Sequence, residues 1–323
     1  MSDPRLEALE SYFRLMYMNG GVQVFRTAMS AGILEALGAG PISAEELATK
    51  AKLQSGPTRL LVDALAALGL VQETDGTVAL APAASFVMGP YRDLGDSYWA
   101  HLPTLLATGE PLMTVEKAEQ GEAFYQAQAA ALEWMVAPAA AVAAEILARL
   151  TPSEVLDVGA GSAAWSLALA ARDREVRVTA IDRAGVLKIA LASAARRGLA
   201  DRFTALPGDF TTVELMDERF DLAIIANVAH LLPPAGNVTL FRRMRRALKP
   251  GGAVAVIDVV PGAPGGDLPR ALYALGLALR TKTGRTYSRE ELGRCLSDAG
   301  FESWTWKSLD VVPHTLGMVV ATA

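Results

Sequence analysis

Asp157, Gly159 and Gly161 stand at alternate positions in Val155-Leu156-Asp157-Val158-Gly159-Ala160-Gly161-Ser162-Ala163. Apolar residues, an acid and two spaced glycines suit a buried strand that ends in a tight turn and opens a helix, here expected over Ser162 to Arg172. Glycine lets the backbone turn where a Cβ would obstruct a ligand, and the free N–H groups of a helix start attract polar groups. Asp182 follows 21 residues after Gly161, at the end of a second apolar run, Val176 to Ile181. An acid in that place accepts hydrogen bonds from a ribose diol, so the pattern points to a nucleoside-containing cofactor.

Asp157 narrows the choice. An acid two residues before the first glycine repels a pyrophosphate, but it can hold an ammonium group directly, through water or through neighbouring backbone. The amino-acid end of S-adenosylmethionine carries such a group. The third glycine of a dinucleotide fingerprint is replaced by Ala164, an allowed variant, so a nicotinamide-dependent reductase is an alternative; no obvious tyrosine–lysine pair accompanies it. Gly208-Asp209-Phe210 ends a third apolar run, where Asp209 can accept from an adenine amino group and Phe210 can flank the purine. A fourth run ends in Asn227-Val228-Ala229-His230, and an imidazole there can serve as a base or simply cap the following turn.

These motifs sit on an alternation of strands and helices. Strands are expected over Val155–Val158, Val176–Ile181, Phe203–Pro207, Phe220–Ile225 and Gly252–Val260, with a last one near Thr315–Ala321. Helices are expected to start near Ser162, Ala184, Asn237 and Ser288. The pattern is that of an α/β domain with a mostly parallel sheet covered on both faces, whose ligands gather at the carboxyl ends of the strands. Lys249-Pro250-Gly251-Gly252 places proline and glycine as a type II turn wants and reads as a structural connector.

The first hundred residues are organised differently. Pro4 to Leu37 read as helices with a dense apolar face, broken near Gly20-Gly21. Ser43 with Glu46 forms a capping box, Ser55-Gly56-Pro57 starts a second helix that ends at Gly69, and Val71–Leu80 reads as a β-hairpin turning at Asp75-Gly76. Two helices and a hairpin make a winged helix-turn-helix. Residues 1–100 hold seven basic residues against eleven acidic ones, and the would-be recognition helix carries Arg59 alone. A phosphate-binding surface needs several cations, so the module is expected to pack against another subunit rather than read DNA. Residues 97–150 read as a helical connector in which Tyr98, Met113, Phe124, Tyr125, Trp134 and Met135 could wall an apolar substrate pocket; Tyr273 is a further candidate for that wall.

Composition limits the remaining classes. The chain has 323 residues, 51% hydrophobic and 20% charged, and a net charge of −5, which favours neither nucleic acid nor an anionic membrane. A single cysteine, Cys295, excludes an internal disulfide and fits a reducing cytoplasm. The three histidines, His101, His230 and His314, show no metal-ligand spacing, so no metal is expected. The longest apolar tract, Ala127–Leu150, is interrupted by Glu133, Pro138 and Glu145, and no signal peptide is evident.

The order DVGAGSA, acid at Asp182, GDF, VAH, LKPGG and RTYSREELGRCLSDAGF resembles class I S-adenosylmethionine-dependent methyltransferases. More narrowly it is similar to the O-methyltransferase family that includes caffeate, acetylserotonin and bacterial polyketide- and carotenoid-tailoring enzymes. The stretch ISAEELATKAKLQSGPTRLLVDALAALGLV with DGTVALAP is similar to that family's N-terminal winged-helix dimerisation domain. The resemblance implies a Rossmann-like catalytic domain over 151–323, a connector over 97–150, a homodimerising domain over 1–96 and a small-molecule acceptor. It implies that Asp157, Gly159, Ala160 and Gly161 hold the methionine part of S-adenosylmethionine, that Asp182 with neighbouring Arg183 takes the ribose, and that Gly208, Asp209 and Phe210 take the adenine. Asn227 falls at the rim of the pocket, His230 on the family's catalytic histidine, and Asp258 near its orienting glutamate. Ala163 stands in place of a glycine, Leu231 and Leu232 where aspartate and tryptophan are common, and Ala226-Asn227 where a basic residue often occurs. O-methylation is therefore the leading expectation, with C-, N- or S-methylation on the same scaffold, or a non-catalytic winged-helix regulator, as alternatives.

Overall fold

The computed structural model describes residues 3–89, 92–261, 267–309, 311 and 316–323; His314 and Thr315 lie outside them. The chain forms two compact units, Met1–Asp96 and Ser97–Ala323.

The first unit is built from α1 (Pro4–Ser30), α2 (Ile33–Leu37), α3 (Ala44–Ala51), α4 (Ser55–Ala67), the hairpin strands β1 (Val71–Thr74) and β2 (Thr77–Leu80), and α5 (Ala84–Val87). The capping box at Ser43 and Glu46 forms as expected, and Val71 pairs with Leu80 across the hairpin. Ile33, Leu34, Leu47, Val62, Leu65 and Val78 make its core. The expected break at Gly20-Gly21 does not occur: α1 runs straight through it. Gly21 lies where a Cβ would come within 3.1 Å of the Leu68 side chain, so the small residue lets α1 approach the end of α4 closely. That contact offsets the roughly 1 kcal/mol that glycine costs inside a helix. The first four turns of α1 expose Leu6, Leu9, Tyr12, Phe13, Leu15 and Tyr17 among other apolar side chains, with Leu15 65% accessible.

The second unit begins with α6 (Asp96–Trp99), α7 (Leu102–Thr108) and the long α8 (Ala118–Leu147). Then come β3 (Glu154–Val158), α9 (Ala164–Arg172), β4 (Arg177–Asp182), α10 (Ala184–Arg196), β5 (Phe203–Pro207), β6 (Phe220–Ala226) and α11 (Pro234–Ala247). The chain closes with β7 (Leu248–Val259), α12 (Leu268–Arg280), α13 (Arg289–Asp298), β8 (Ser303–Leu309) and β9 (Leu316–Thr322). The seven-stranded sheet has the order β5-β4-β3-β6-β7-β9-β8, parallel except at β9 and β8. Strand order reverses at β3, which pairs with β4 on one side and β6 on the other, and such a switch point opens a crevice at the strands' carboxyl ends.

Alternate residues serve opposite faces, as the two-residue strand period requires. Val155, Leu222, Ile224, Ala255 and Ile257 pack with α8, α9 and α10, whereas Leu156, Val158, Ile225, Val254 and Val256 pack with α11 and α13. Asp157 thereby falls on the α8–α9 face and Asp258 on the α11–α13 face. No single described helix is long and apolar enough to cross a membrane.

Several boundaries differ from expectation. The Gly-rich turn extends to Ala163, so α9 starts at Ala164 rather than Ser162, and α11 starts at Pro234 rather than Asn237 because proline is well suited to a first helical turn. β7 begins at Leu248, with Lys249 to Gly252 forming an irregularity in its pairing to β6 and Gly251 at φ +78°. β8 and α12 were not expected. β8 exposes most of its residues at the sheet's edge and lacks an apolar run, but α12 carries an N-cap, Asp267, and an early proline that signal it.

Candidate functional site

Three loops at the carboxyl ends of the strands meet at Gly159. Its φ is +65°, and a Cβ there would lie 2.6 Å from Val228 Cγ2 of the loop after β6 and 3.7 Å from the Phe210 ring of the loop after β5. Glycine is required both for the turn and for that close approach. Gly161 (φ +58°) donates its N–H to Asp182 Oδ2 at 2.8 Å, and Ala160 donates to Ile181 O at 3.0 Å, which ties the turn to the end of β4. Ala163 caps α9 at φ +59°, a left-handed conformation that costs an alanine roughly 1–2 kcal/mol.

Under this turn lies Asp157, 1% exposed, accepting a 2.5 Å hydrogen bond from Ser166 on α9. No cation pairs with it among the described residues. Burial pushes its carboxyl up to about 7; the Ser166 hydrogen bond opposes that rise and the charge of Asp182 adds to it. Asp182 is half-buried and accepts from the Gly161 and Arg183 N–H groups. Burial raises its carboxyl above the ordinary range against the pull of those two donors. Arg183 caps α10, and Glu122 from α8 accepts from the Gly185 N–H at 2.6 Å, closing this corner.

The adenine candidates are arranged unevenly. Phe210 reaches over Gly159, whereas Asp209 is exposed and uses Oδ1 to accept from the Thr211 N–H and hydroxyl. Asn227 stands at the end of β6 in a left-handed conformation, φ +56°, with its N–H on Ile257 O.

Three residues further on, His230 is 3% exposed in a short 3₁₀ turn. Its Nδ1 is 2.7 Å from Asp258 Oδ1, and its backbone N–H donates to Asp258 Oδ2 at 3.1 Å. Asp258 also accepts from the Val259 N–H at 2.8 Å, so the carboxylate is fixed from two directions. The Tyr273 hydroxyl is 3.3 Å from His230 Nδ1, with the two rings edge to face. Burial first, then the Asp258 charge, drives the Tyr273 phenol far above its usual range.

The aromatic candidates divide. Tyr98, Met113, Phe124 and Tyr125 form one cluster: the Tyr98 hydroxyl lies against Met113 sulfur at 3.7 Å and the rings of Phe124 and Tyr125 meet at 5.2 Å. Burial pushes the Tyr125 phenol up to about 12, with Arg280 and Arg183 pulling it down. Trp134 does not join the cluster; it is 61% exposed further along α8, and Met135 beside it is half-buried. Glu133, their neighbour, instead accepts from Ser193, Arg196 and Arg197 and holds α8 to α10. Sequence reasoning missed Ser166, Glu122 and Arg280. Nothing local marks the first two, but Arg280 ends an amphipathic segment that carries Tyr273. Among the described residues no group of three or more His, Cys, Asp or Glu is placed to hold a metal.

Residues 155–252 match the family description "Methyltransferase domain", and residues 15–89 match "O-methyltransferase dimerisation domain". The chain is 29% identical over 315 residues to acetylserotonin O-methyltransferase of Mus musculus molossinus, covering 86% of this chain and 80% of that protein. It is 27% identical to the tetracenomycin polyketide synthesis 8-O-methyl transferase TcmO of Streptomyces glaucescens, covering 87% and 88% of the two chains. Its fold matches that of human N-acetylserotonin methyltransferase, solved in complex with SAM, with a TM-score of 0.72 at 20% identity over 99% of this chain and 98% of that one.

Proposed function

The chain belongs to the S-adenosylmethionine-dependent O-methyltransferases that carry an N-terminal dimerisation domain, and from that premise we propose that it methylates a hydroxyl of an apolar, aromatic small molecule with His230 as general base. The observation that carries the reading is the His230–Asp258 pair, buried at the same end of the sheet as the glycine turn.

The residues of the turn suit the cofactor. A buried carboxylate with no cation among the described residues, Asp157, matches the cofactor's ammonium group, with its influence carried through the turn above it. Asp182 and Arg183 stand at the ribose corner, Gly208, Asp209 and Phe210 near the adenine, Ala160 and Gly161 along the methionine part, and Asn227 at the rim. Bound there, S-adenosylmethionine supplies a methyl group already activated by its sulfonium.

The protein's own work is to position the acceptor, exclude water and take a proton. Asp258 receives the Nδ1–H of His230, which leaves the lone pair on Nε2. That nitrogen would take the hydroxyl proton as the oxygen bonds to the methyl carbon and the carbon–sulfur bond breaks, leaving S-adenosylhomocysteine as a neutral thioether. Full transfer from a phenol (about 10) to an imidazole (about 6.5) costs about 5 kcal/mol, so the base acts within the transition state, where such help is worth about 10²–10⁴-fold. Positioning supplies about 7–11 kcal/mol more. Tyr98, Met113, Phe124, Tyr125 and Tyr273 wall the acceptor, with half-buried Met135 a further candidate, while Trp134 is exposed. His230→Ala is expected to lower kcat about 10²–10⁴-fold with cofactor affinity within threefold of the parent. An undiminished rate would overturn the base assignment.

The exposed apolar side chains of α1 lie within and beside the segment matched as a dimerisation domain. We propose that a second copy covers them; light scattering that shows a monomer at micromolar concentration would contradict this.

A further inference from the structure

Arg280 is the last residue of α12, half-buried, with its guanidinium carbon 5.5 Å from the centre of the Tyr273 ring. Its charge acts on the hydroxyls of both Tyr273 and Tyr125. Its backbone carbonyl accepts from the Val115 N–H at 3.1 Å, and the preceding Leu279 carbonyl accepts from Leu112, so the segment that carries Met113 is pinned beside it.

Three basic residues near it in the chain are matched. Arg270 on the same helix pairs with Asp267, Lys282 pairs with Glu110, and Arg285 pairs with Glu291. Arg280 has no carboxylate within ion-pair distance among the described residues, and neither has Arg183, whose charge also reaches Tyr125. The acids whose fields reach Tyr125 and Tyr273 are already engaged. Asp258 holds His230 and two N–H groups, Asp182 accepts two N–H groups, and Glu116 accepts from the N–H groups of Lys282 and Thr283. The helix C-terminus and the Tyr273 ring each favour a cation by up to about 1 kcal/mol, but neither supplies a counter-charge. A half-buried guanidinium loses hydration, and its planar fork of donors fits a carboxylate.

Tyr273 links this cation to the base. Its ring centre is 5.5 Å from the Arg280 guanidinium carbon and 5.9 Å from the His230 ring. A planar acceptor lying along Tyr273 can present a hydroxyl to His230 and an anionic group to Arg280. We propose that Arg280 is the specificity-determining residue of the acceptor site, and that the acceptor is an aromatic hydroxy acid whose carboxylate pairs with it. The inference rests on the placement of the acceptor beside His230. Arg280 takes no part in the transfer itself.

The test uses the full-length protein loaded with S-adenosylhomocysteine and matched probes: 4-hydroxybenzoate with 4-hydroxybenzamide, and 3-hydroxy-1-naphthoate with its amide. Equilibrium binding of each is measured by calorimetry, and turnover with S-adenosylmethionine in parallel. The parent protein is expected to bind a carboxylate at least tenfold tighter than its amide. R280Q is expected to lose about 10–100-fold for the carboxylate, mainly in Kd and KM, and less than threefold for the amide. R280K, which keeps the charge without the fork, should fall between them and serves also if R280Q does not fold. Unchanged S-adenosylhomocysteine affinity in the variant shows that the cofactor site is intact. Equal binding of acid and amide by the parent, binding of neither, or an equal loss for both in R280Q would overturn the proposal. Preferential carboxylate binding with no turnover of any probe would support it while counting against the base assigned to His230.

Discussion

Asp157 and Asp221 lie on the adjacent strands β3 and β6, one toward each end of the same sheet, and their surroundings are opposite. At the amino end, Asp221 accepts from the Ser153 N–H and hydroxyl, the Glu154 N–H and Lys249 Nζ. Burial alone would raise its carboxyl; the Lys249, Glu154 and Ser153 donors outweigh burial and hold it at about 2. At the carboxyl end, Asp157 is more deeply buried, has the Ser166 hydroxyl, and is pushed up to about 7. Left-handed non-glycine residues do not separate the ends: Ala163 and Asn227 sit at this one, Thr151 and Glu218 at the other. One end is satisfied within the protein. The other holds unmatched charge, and a fold keeps such a group where a ligand offsets it.

Substitution should separate the two ends. Asp157→Asn is expected to weaken S-adenosylmethionine binding about 5–150-fold by calorimetry, for the loss of a charged partner, without destabilising the unliganded protein. A variant with parental affinity would dissociate Asp157 from the ligand. Asp221→Asn should do the reverse: cofactor affinity stays within twofold, while denaturant unfolding shows a loss of about 1–2 kcal/mol, the low end because the carboxylate is partly exposed. Acid titration sharpens the contrast. The Asp221 carboxyl lies below its ordinary value, so its contribution is present above about pH 4 and is lost as pH falls toward 2. The Asp157 carboxyl lies above its ordinary value, so unliganded stability is lost as pH rises from about 4 through about 7. Ala163→Gly is the smallest change: relief of the left-handed alanine, partly offset by glycine's backbone entropy, should raise unfolding stability by at most about 1 kcal/mol. A fall in stability would mean that the Ala163 methyl packs for more than its conformation costs.

The carboxyl end was legible in sequence to the extent that its signals are local. Gly159, Gly161 and Asp182 declare a turn and its partner strand within one supersecondary unit, and Ser43 with Glu46 and Asp75-Gly76 are similarly self-contained. The satisfaction of charge was not legible. Ser166 meets Asp157 only once α9 packs on β3, and Glu122 reaches Gly185 from 63 residues away. His230 and Asp258 lie 28 residues apart, and only the family's pattern linked them before the strands were placed. Composition misled where it stood in for geometry. Trp134 has the chemistry of a pocket wall but points to the exposed side of α8, since its neighbour Glu133 is turned toward α10. Gly20-Gly21 read as a break because propensity is local, whereas the close approach to Leu68 that keeps α1 continuous is tertiary.

The most direct test of the account is a count of protons released when S-adenosylmethionine binds near pH 6.5, by calorimetry in buffers of different ionisation enthalpy. An ammonium group brought near the Asp157 carboxyl, held at about 7 in the free protein, lowers it and expels a proton. The parent protein is therefore expected to release a substantial fraction of a proton, with affinity rising as pH passes through 7, and Asp157→Asn to release markedly less. Identical proton release by the two proteins, or none by either, would contradict the claim that unmatched charge at this end of the sheet marks the cofactor's place.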